Sequence, residues 1–149
     1  MEEYLEHTYD KFIFRIKVAY RYTKDDFWVD LRSDPALIGV TDFLQKARGD
    51  VAFLETVEPG TVVERGQDVG KIETIKATFG IVSPVSGTIV EVNPALEASP
   101  FLINQDPYGA GWIYKVQLTT PAVAAEGLLS APGYLEVMKE KVIQEAKGK

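Results

Sequence analysis

Val69-Gly70-Lys71-Ile72-Glu73-Thr74-Ile75-Lys76-Ala77-Thr78-Phe79-Gly80-Ile81-Val82-Ser83-Pro84 is the stretch whose reading decides the fold. Two short extended runs flank a tight reversal, glycines stand near both outer ends, and Ser83-Pro84 closes the second run. Lys76 falls at the reversal, where a side chain points into water. A lysine there offers a long flexible stem and a compact amine, which suits it to be a handle for attaching a cofactor. A lysine in an arbitrary hairpin is most often only a solvated side chain, so its surroundings must carry the reading.

At 149 residues the chain is the size of one domain with a real core. No apolar run approaches membrane-spanning length. The acidic start, Met1-Glu2-Glu3-Tyr4-Leu5-Glu6, is unlike a secretory signal, so a cytoplasmic protein is expected. A net charge of −6 argues against nucleic acid, because counterion release cannot drive an acidic domain onto phosphates. The absence of cysteine excludes disulfides, thiolate metal sites and a cysteine nucleophile. His7, the only histidine, lies in an N-terminal segment expected to be loose, and is read as a surface residue rather than a metal ligand or base.

Working outward, Phe12 to Tyr20 alternates with period two and predicts a half-buried strand. Strands are expected at residues 27–32, 36–40, 51–55, 61–63, 88–92 and 112–118, separated by turn chemistry at Ser33-Asp34-Pro35, Pro59-Gly60, Arg65-Gly66-Gln67-Asp68 and Asp106-Pro107-Tyr108-Gly109. Thr41 and Asp42 are both N-cap types, and Asp42 with Gln45 three residues on resembles a capping box, opening a helix that stops at Gly49. Residues 95–104 read as loop or at most one helical turn. Leu135, Met138 and Val142 recur at helical spacing and predict a C-terminal amphipathic helix. Trp112, Tyr114, Val116 and Leu118 share one face and read as core. The expected organisation is an N-terminal extension over residues 1–11, a mostly β domain over 12–130, and a helix packed on it over 131–149. The blocks 60–70 and 80–93 are loosely alike, a weak internal repeat.

No dinucleotide fingerprint, phosphate-binding loop or nucleophile elbow is present, and no carboxylate pair is marked for acid–base work. A sound core without catalytic equipment points to a carrier or binding module. Gly39-Val40-Thr41-Asp42-Phe43, Gly49-Asp50-Val51-Ala52-Phe53, Glu73-Thr74-Ile75-Lys76-Ala77, Ser83-Pro84-Val85-Ser86-Gly87, Glu91-Val92-Asn93 and Asn104-Gln105-Asp106-Pro107-Tyr108-Gly109-Ala110-Gly111-Trp112 together resemble the H-protein family of lipoyl carriers, over roughly Tyr22 to Leu118. The resemblance implies a biotinyl/lipoyl-type β-sandwich (a hybrid barrel-sandwich) with a short internal helix and a C-terminal helix. It also implies lipoate amide-linked to Lys76 within the attachment motif Glu73, Thr74, Ile75 and Ala77, a site similar to the family's Glu-Ser-Val-Lys-Ala. Implied partners are a lipoate ligase or lipoyl transferase and a dihydrolipoamide dehydrogenase-like enzyme. Biotin carriers, the neighbouring class, usually place Met on both sides of the lysine, where this chain has Ile75 and Ala77.

Two positions depart from the glycine-cleavage type. Asp26-Phe27-Trp28 stands where those members usually read His-Glu-Trp, and Gly80 stands four residues after the lysine, where they tend to carry an acid. Phe27 is therefore expected to be an apolar wall of the cleft that receives the loaded arm, suited to a neutral sulfur-bearing cargo. In its Asp26-Phe27-Trp28 run and its longer N-terminal segment the chain resembles the sister group of lipoate-binding proteins in cytoplasmic sulfur oxidation, with a heterodisulfide-reductase-like complex as partner. The alternatives are glycine cleavage, with glycine decarboxylase and aminomethyltransferase, and an unmodified interaction module in which Lys76 is an ordinary side chain.

Overall fold

The structure, a computed structural model, describes residues 3–147. Met1, Glu2, Gly148 and Lys149, the outermost residues of the expected extension and helix, lie outside the described residues. In chain order the strands are β1 (Tyr4–Tyr9), β2 (Phe12–Lys17), β3 (Arg21–Tyr22), β4 (Phe27–Asp30), β5 (Ala36–Val40), β6 (Val51–Thr56), β7 (Val62–Val63), β8 (Asp68–Thr74), β9 (Thr78–Val82), β10 (Gly87–Val92) and β11 (Tyr114–Leu118). The helices are α1 (Asp42–Arg48), α2 (Ala95–Ala98), α3 (Leu102–Gln105) and α4 (Ala131–Lys147).

A six-stranded sheet in the order β3-β4-β5-β11-β10-β7 faces a three-stranded sheet in the order β6-β8-β9. Their inner faces supply one core: Val29, Ile38, Ile89 and Val116 from the larger sheet meet Val51, Ile72 and Ile81 from the smaller. Period-two alternation accounts for this, since every second residue of a strand faces the same way. A second core, rich in aromatic rings, lies outside the larger sheet. There Phe14, Ile16, Tyr20, Tyr22 and Trp28 meet Phe43 of α1, Tyr108, and Tyr134, Met138 and Val142 of α4. Burial of these rings is compatible with their polar tips because each finds an acceptor. Trp28 Nε1 donates to the Pro107 carbonyl at 2.9 Å, and Tyr20 donates to the Tyr108 carbonyl at 2.8 Å. Desolvation raises the Tyr108 and Tyr134 hydroxyls well above the ordinary range, and that of Tyr114 to about 12.

The N-terminal segment is not a loose extension. β1 pairs antiparallel with β2 from Tyr4↔Lys17 to Tyr9↔Phe12, so the expected boundary after residue 11 cuts through the turn of a hairpin. Asp42 fastens this hairpin: its Oδ2 accepts the Arg15 backbone N–H at 2.9 Å, while the Tyr108 hydroxyl donates to the Arg15 carbonyl at 2.6 Å. His7 is half-buried within β1. Of the two N-cap candidates, Asp42 is not the N-cap of α1. That role falls to Thr41, whose Oγ1 accepts the Leu44 N–H at 3.2 Å. The inward stripe of α4 runs through Ala131, Tyr134, Met138 and Val142, with Leu135 only partly covered. Residues 95–105 hold two single helical turns rather than one. No helix among the described residues is long and apolar enough to cross a membrane.

Candidate functional site

β8 and β9 form the hairpin, and Ile75, Lys76 and Ala77 make its tip. The Thr74 N–H donates to the Ala77 carbonyl at 2.8 Å, closing the turn. The Thr74 hydroxyl organises the rest. Its Oγ1 accepts the Ala77 N–H at 3.0 Å and the Lys76 N–H at 3.3 Å, and donates to the Arg48 carbonyl at 2.6 Å. The tip is held a second time by the Ile75 N–H, which donates to the Asp50 carbonyl at 3.1 Å. The turn that bears the lysine is thus pinned to the loop that ends α1.

That loop is itself held by Asn104 of α3. The Asn104 Oδ1 accepts the Val51 N–H at 2.8 Å, and its Nδ2 donates to the Gly49 carbonyl at 3.0 Å and to Gln45 Oε1 at 3.1 Å. Gly49 has φ of +90°, a conformation that disfavours a side chain. A Cβ on Gly49 would lie 3.5 Å from Lys76 Cγ, so the aliphatic stem of the lysine runs across this bare backbone. Lys76 itself is exposed, and no ion pair or side-chain hydrogen bond engages its amine among the described residues.

The other motif residues divide clearly. Glu73 is exposed, Ile75 is 75% exposed, and Ala77 is half-buried beneath the turn. Phe27 does not line a cleft. It is 2% exposed on β4, opposite Val40, and packs in the inter-sheet core. An apolar side chain on an inward-facing strand position gains more from that core than from a solvated wall.

Carboxylates nevertheless stand near both positions where the sequence lacks them. A Cβ on Gly80 would lie 2.1 Å from Asp68 Oδ2, so the Asp68 carboxylate fills the space a side chain at 80 would take. The register shift between Asp68 and Lys71 in the β8–β9 ladder accompanies this crossing, and the Gly70 N–H donates to Asp68 Oδ1 at 3.2 Å. Asp26, beside Phe27, is 5% exposed and borders a cleft of about 340 Å³ shared with Phe43, Arg48, Lys141, Gln144 and Glu145. Its Oδ1 accepts from the Tyr134 hydroxyl at 2.7 Å and its Oδ2 from Lys141 Nζ at 2.7 Å. Burial raises the Asp26 carboxyl above its ordinary value, against the opposing pull of Lys141 and Tyr134. Asp68, Gly49 and Asn104 were not singled out as site residues in the sequence. For Gly49 and Asn104 the available signal was their place in the two blocks Gly49–Phe53 and Asn104–Trp112.

A two-sheet sandwich that displays one amine on a doubly pinned turn defines a carrier of a tethered group. The family model for the glycine cleavage H-protein matches residues 20–141. The chain is 46% identical over 120 residues to the glycine cleavage system H protein of Thermus thermophilus, covering 80% of this chain and 93% of that one. It is 41% identical over 128 residues to a probable glycine cleavage system H protein of Aeropyrum pernix, covering 86% and 89%. The crystal structure of a glycine cleavage system H protein from Mycobacterium marinum superposes with a TM-score of 0.74 at 36% identity, covering 81% of this chain and 97% of that one. The chain belongs to the glycine cleavage H-protein family. It therefore has the lipoyl-type β-sandwich, and it is a carrier that works with partner enzymes and has no catalytic activity of its own. Proteins of this family carry lipoate covalently attached to a lysine.

Proposed function

We propose that the chain is the lipoyl carrier of glycine cleavage, that Lys76 is the attachment residue, and that the arm takes an aminomethyl group from glycine decarboxylase to aminomethyltransferase in the cytoplasm. A lipoate ligase or lipoyl transferase would load Lys76, and lipoamide dehydrogenase would reoxidise the arm. The observation that carries this is the pinned turn: Lys76 sits at its tip, and Thr74 and Ile75 just before it are bonded to the α1 loop. Acylation neutralises an ammonium that has no ion pair among the described residues, so modification leaves no buried partner charge there. The lipoyl group supplies a disulfide that cycles with a dithiol and can bear a one-carbon group. The chain supplies position: Thr74 sets the turn, Gly49 gives the stem a path, and Asp68 places a carboxylate beside β9.

The sulfur-oxidation reading and its heterodisulfide-reductase-like partner drew on apolar or missing side chains at 27 and 80 and on the longer N-terminal segment. Phe27 is core, and Asp68 restores an acid at Gly80. The names of the relatives also point to glycine cleavage. The test has two parts. Intact mass should show lipoylation of the wild type and none of Lys76→Arg. The lipoylated chain should then support glycine turnover with the decarboxylase, transferase and dehydrogenase. A lipoylated chain that fails to do so would remove the glycine role and leave a carrier of another cargo.

A further inference from the structure

The β1–β2 hairpin lies outside residues 20–141, which match the family model, and its two edges differ. The Val18 N–H donates to the Glu3 carbonyl at 3.0 Å, which sets the alternation along the hairpin. The backbone groups of Leu5, His7 and Tyr9 face β2, and those of Tyr4, Glu6 and Thr8 face away from it. On β2 the groups that face away belong to Ile13, Arg15 and Lys17, and the rest of the fold engages them. Lys46 Nζ donates to the Ile13 carbonyl, the Arg15 N–H donates to Asp42 Oδ2, and the Tyr108 and Tyr22 hydroxyls donate to the carbonyls of Arg15 and Lys17. On β1 the outward N–H and C=O groups of Tyr4, Glu6 and Thr8 have no hydrogen-bond partner among the described residues. We infer that this open edge pairs antiparallel with β1 of a second copy, about a two-fold axis at His7, so that two hairpins become one four-stranded sheet.

Edge strands are ordinarily guarded by proline, lysine or a bulge. β1 has none of these: it reads Tyr4-Leu5-Glu6-His7-Thr8-Tyr9, and its register with β2 is unbroken. β6 and β9, the edges of the three-stranded sheet, lie in ladders that carry register shifts. Tyr4, Tyr9, Phe12 and Ile13 all stand exposed on this one hairpin, a concentration of apolar surface that marks an interaction site. Charge and register identify the occupant. The hairpin sets Lys11, Arg15 and Lys17 against Glu6 and Asp10 in a chain of net charge −6, so two copies meet there with little repulsion. Free groups can bond only in registers that align outward residues with outward residues. An axis at Glu6 would set two carboxylates directly opposite, and an axis at Thr8 would set Glu6 against Asp10. An axis at Leu5 would leave Thr8 and Tyr9 unpaired. The axis at His7 places Glu6 opposite Thr8, Leu5 opposite Tyr9, and His7 opposite its own copy. Each Glu6–Thr8 pair then exchanges both backbone hydrogen bonds, while Glu6 stays tied to Arg15 at 3.2 Å. A strand that complements itself in this way meets the requirement of an isologous interface. β1 and the β8–β9 hairpin belong to different sheets, so the pairing uses no part of the Lys76 turn.

The test uses the full-length chain, which has no native cysteine. Sedimentation equilibrium should show a dimer that Thr8→Ala keeps and Thr8→Pro loses, since proline there removes an outward N–H without breaking a β1–β2 bond. Single cysteines under mild oxidation read the register. Residues opposed in a non-hydrogen-bonded pair lie about 4.5 Å apart at Cα, within reach of a disulfide, whereas diagonal neighbours lie about 7–8 Å apart. His7→Cys should therefore cross-link to its own copy at least about tenfold faster than Glu6→Cys or Thr8→Cys. A chain that stays monomeric up to about 1 mM would overturn the inference. So would a dimer that survives Thr8→Pro with native circular dichroism, or equal cross-linking at the three positions. Should Thr8→Pro lose its native circular dichroism, the cysteine series decides alone. Protection of the Glu6 and Thr8 amides from hydrogen exchange only when a partner enzyme is added would also overturn it, in favour of that partner's strand.

Discussion

Thr74→Val isolates the hydroxyl that holds the lysine turn. Valine keeps the shape and the strand preference of threonine and removes only the oxygen. Its contacts go with it: donation to the Arg48 carbonyl at 2.6 Å, with the Ala77 carbonyl a longer alternative at 3.2 Å, and acceptance from the Ala77 and Lys76 N–H groups at 3.0 and 3.3 Å. One hydrogen bond contributes about 0.5–1.5 kcal/mol net, and a buried carbonyl left unpaired costs about 1–3 kcal/mol. Thr74 is half-buried, so water recovers part of this, and a loss of about 1–2 kcal/mol is expected. For a chain of this size that corresponds to a fall in Tm of about 2–8 °C. The ligase should also load Lys76 more slowly, because the turn it must recognise is no longer fixed. Thr74→Ser restores the hydroxyl and should recover both properties. The assays are thermal unfolding by circular dichroism and a time course of lipoylation by mass. A Thr74→Val chain with wild-type Tm and wild-type loading rate would refute the role given to this residue.

Gly39→Ala should destabilise the fold by about 1–3 kcal/mol through overpacking, because its Cβ would sit 2.7–2.9 Å from the Trp28 indole, which Pro107 and the stacked Tyr20 hold in place; urea titration measures this. The Asp26 carboxyl is raised in the folded chain, so between its ordinary value of 3.8 and its folded value the native state binds the extra proton. Its contribution to stability is therefore full below that window and falls as pH rises through it. Asp26→Asn should abolish this fall, seen as a difference in slope between wild-type and variant denaturation midpoints from pH 4 to 7. Asp68→Asn should leave lipoylation unchanged but weaken retention of a cationic aminomethyl cargo. An exposed charge pair contributes about 0.2–1 kcal/mol, so the expected loss is at most about fivefold in the loaded fraction, read by mass after exposure to glycine decarboxylase.

The parts of the molecule that were legible in the sequence are those fixed by near neighbours. The β8–β9 hairpin is marked by its own glycines and by Ser83-Pro84, so Lys76 could be placed at a turn without any distant contact. α1 was found because Thr41, Asp42 and Gly49 mark both of its ends locally. β1 was missed because Tyr4, Leu5, His7 and Tyr9 do not alternate cleanly, and its place is set by β2 and α4. Tyr134 carries no local mark that sets it above Leu135. Its hydroxyl is satisfied by Asp26 and by Thr41, which lie more than ninety residues away in the chain. Asn104 is the same case at the site itself, since its three partners lie at Gln45, Gly49 and Val51.

The acids near the site show why reading a sequence position by position is weak ground for a choice of cargo. A side chain at 80 and a side chain at 68 point from different strands into one space, and Asp68 reaches it because the ladder shifts register before Lys71 and because Gly80 leaves the space open. The two substitutions are therefore coupled: glycine at 80 is what admits the carboxylate from 68, and an acid at 80 would have to expel it. A charge requirement at the hairpin constrains the position of a carboxylate in space, within the reach of an Asp side chain, and does not constrain which strand supplies it. Phe27 follows the same logic in reverse, since its inward strand position makes it a core residue whatever the chemistry of the cleft beyond it. The missing acid at 27 thus says little about cargo, whereas Asp26, one residue away, borders that cleft together with Arg48, Lys141 and Glu145.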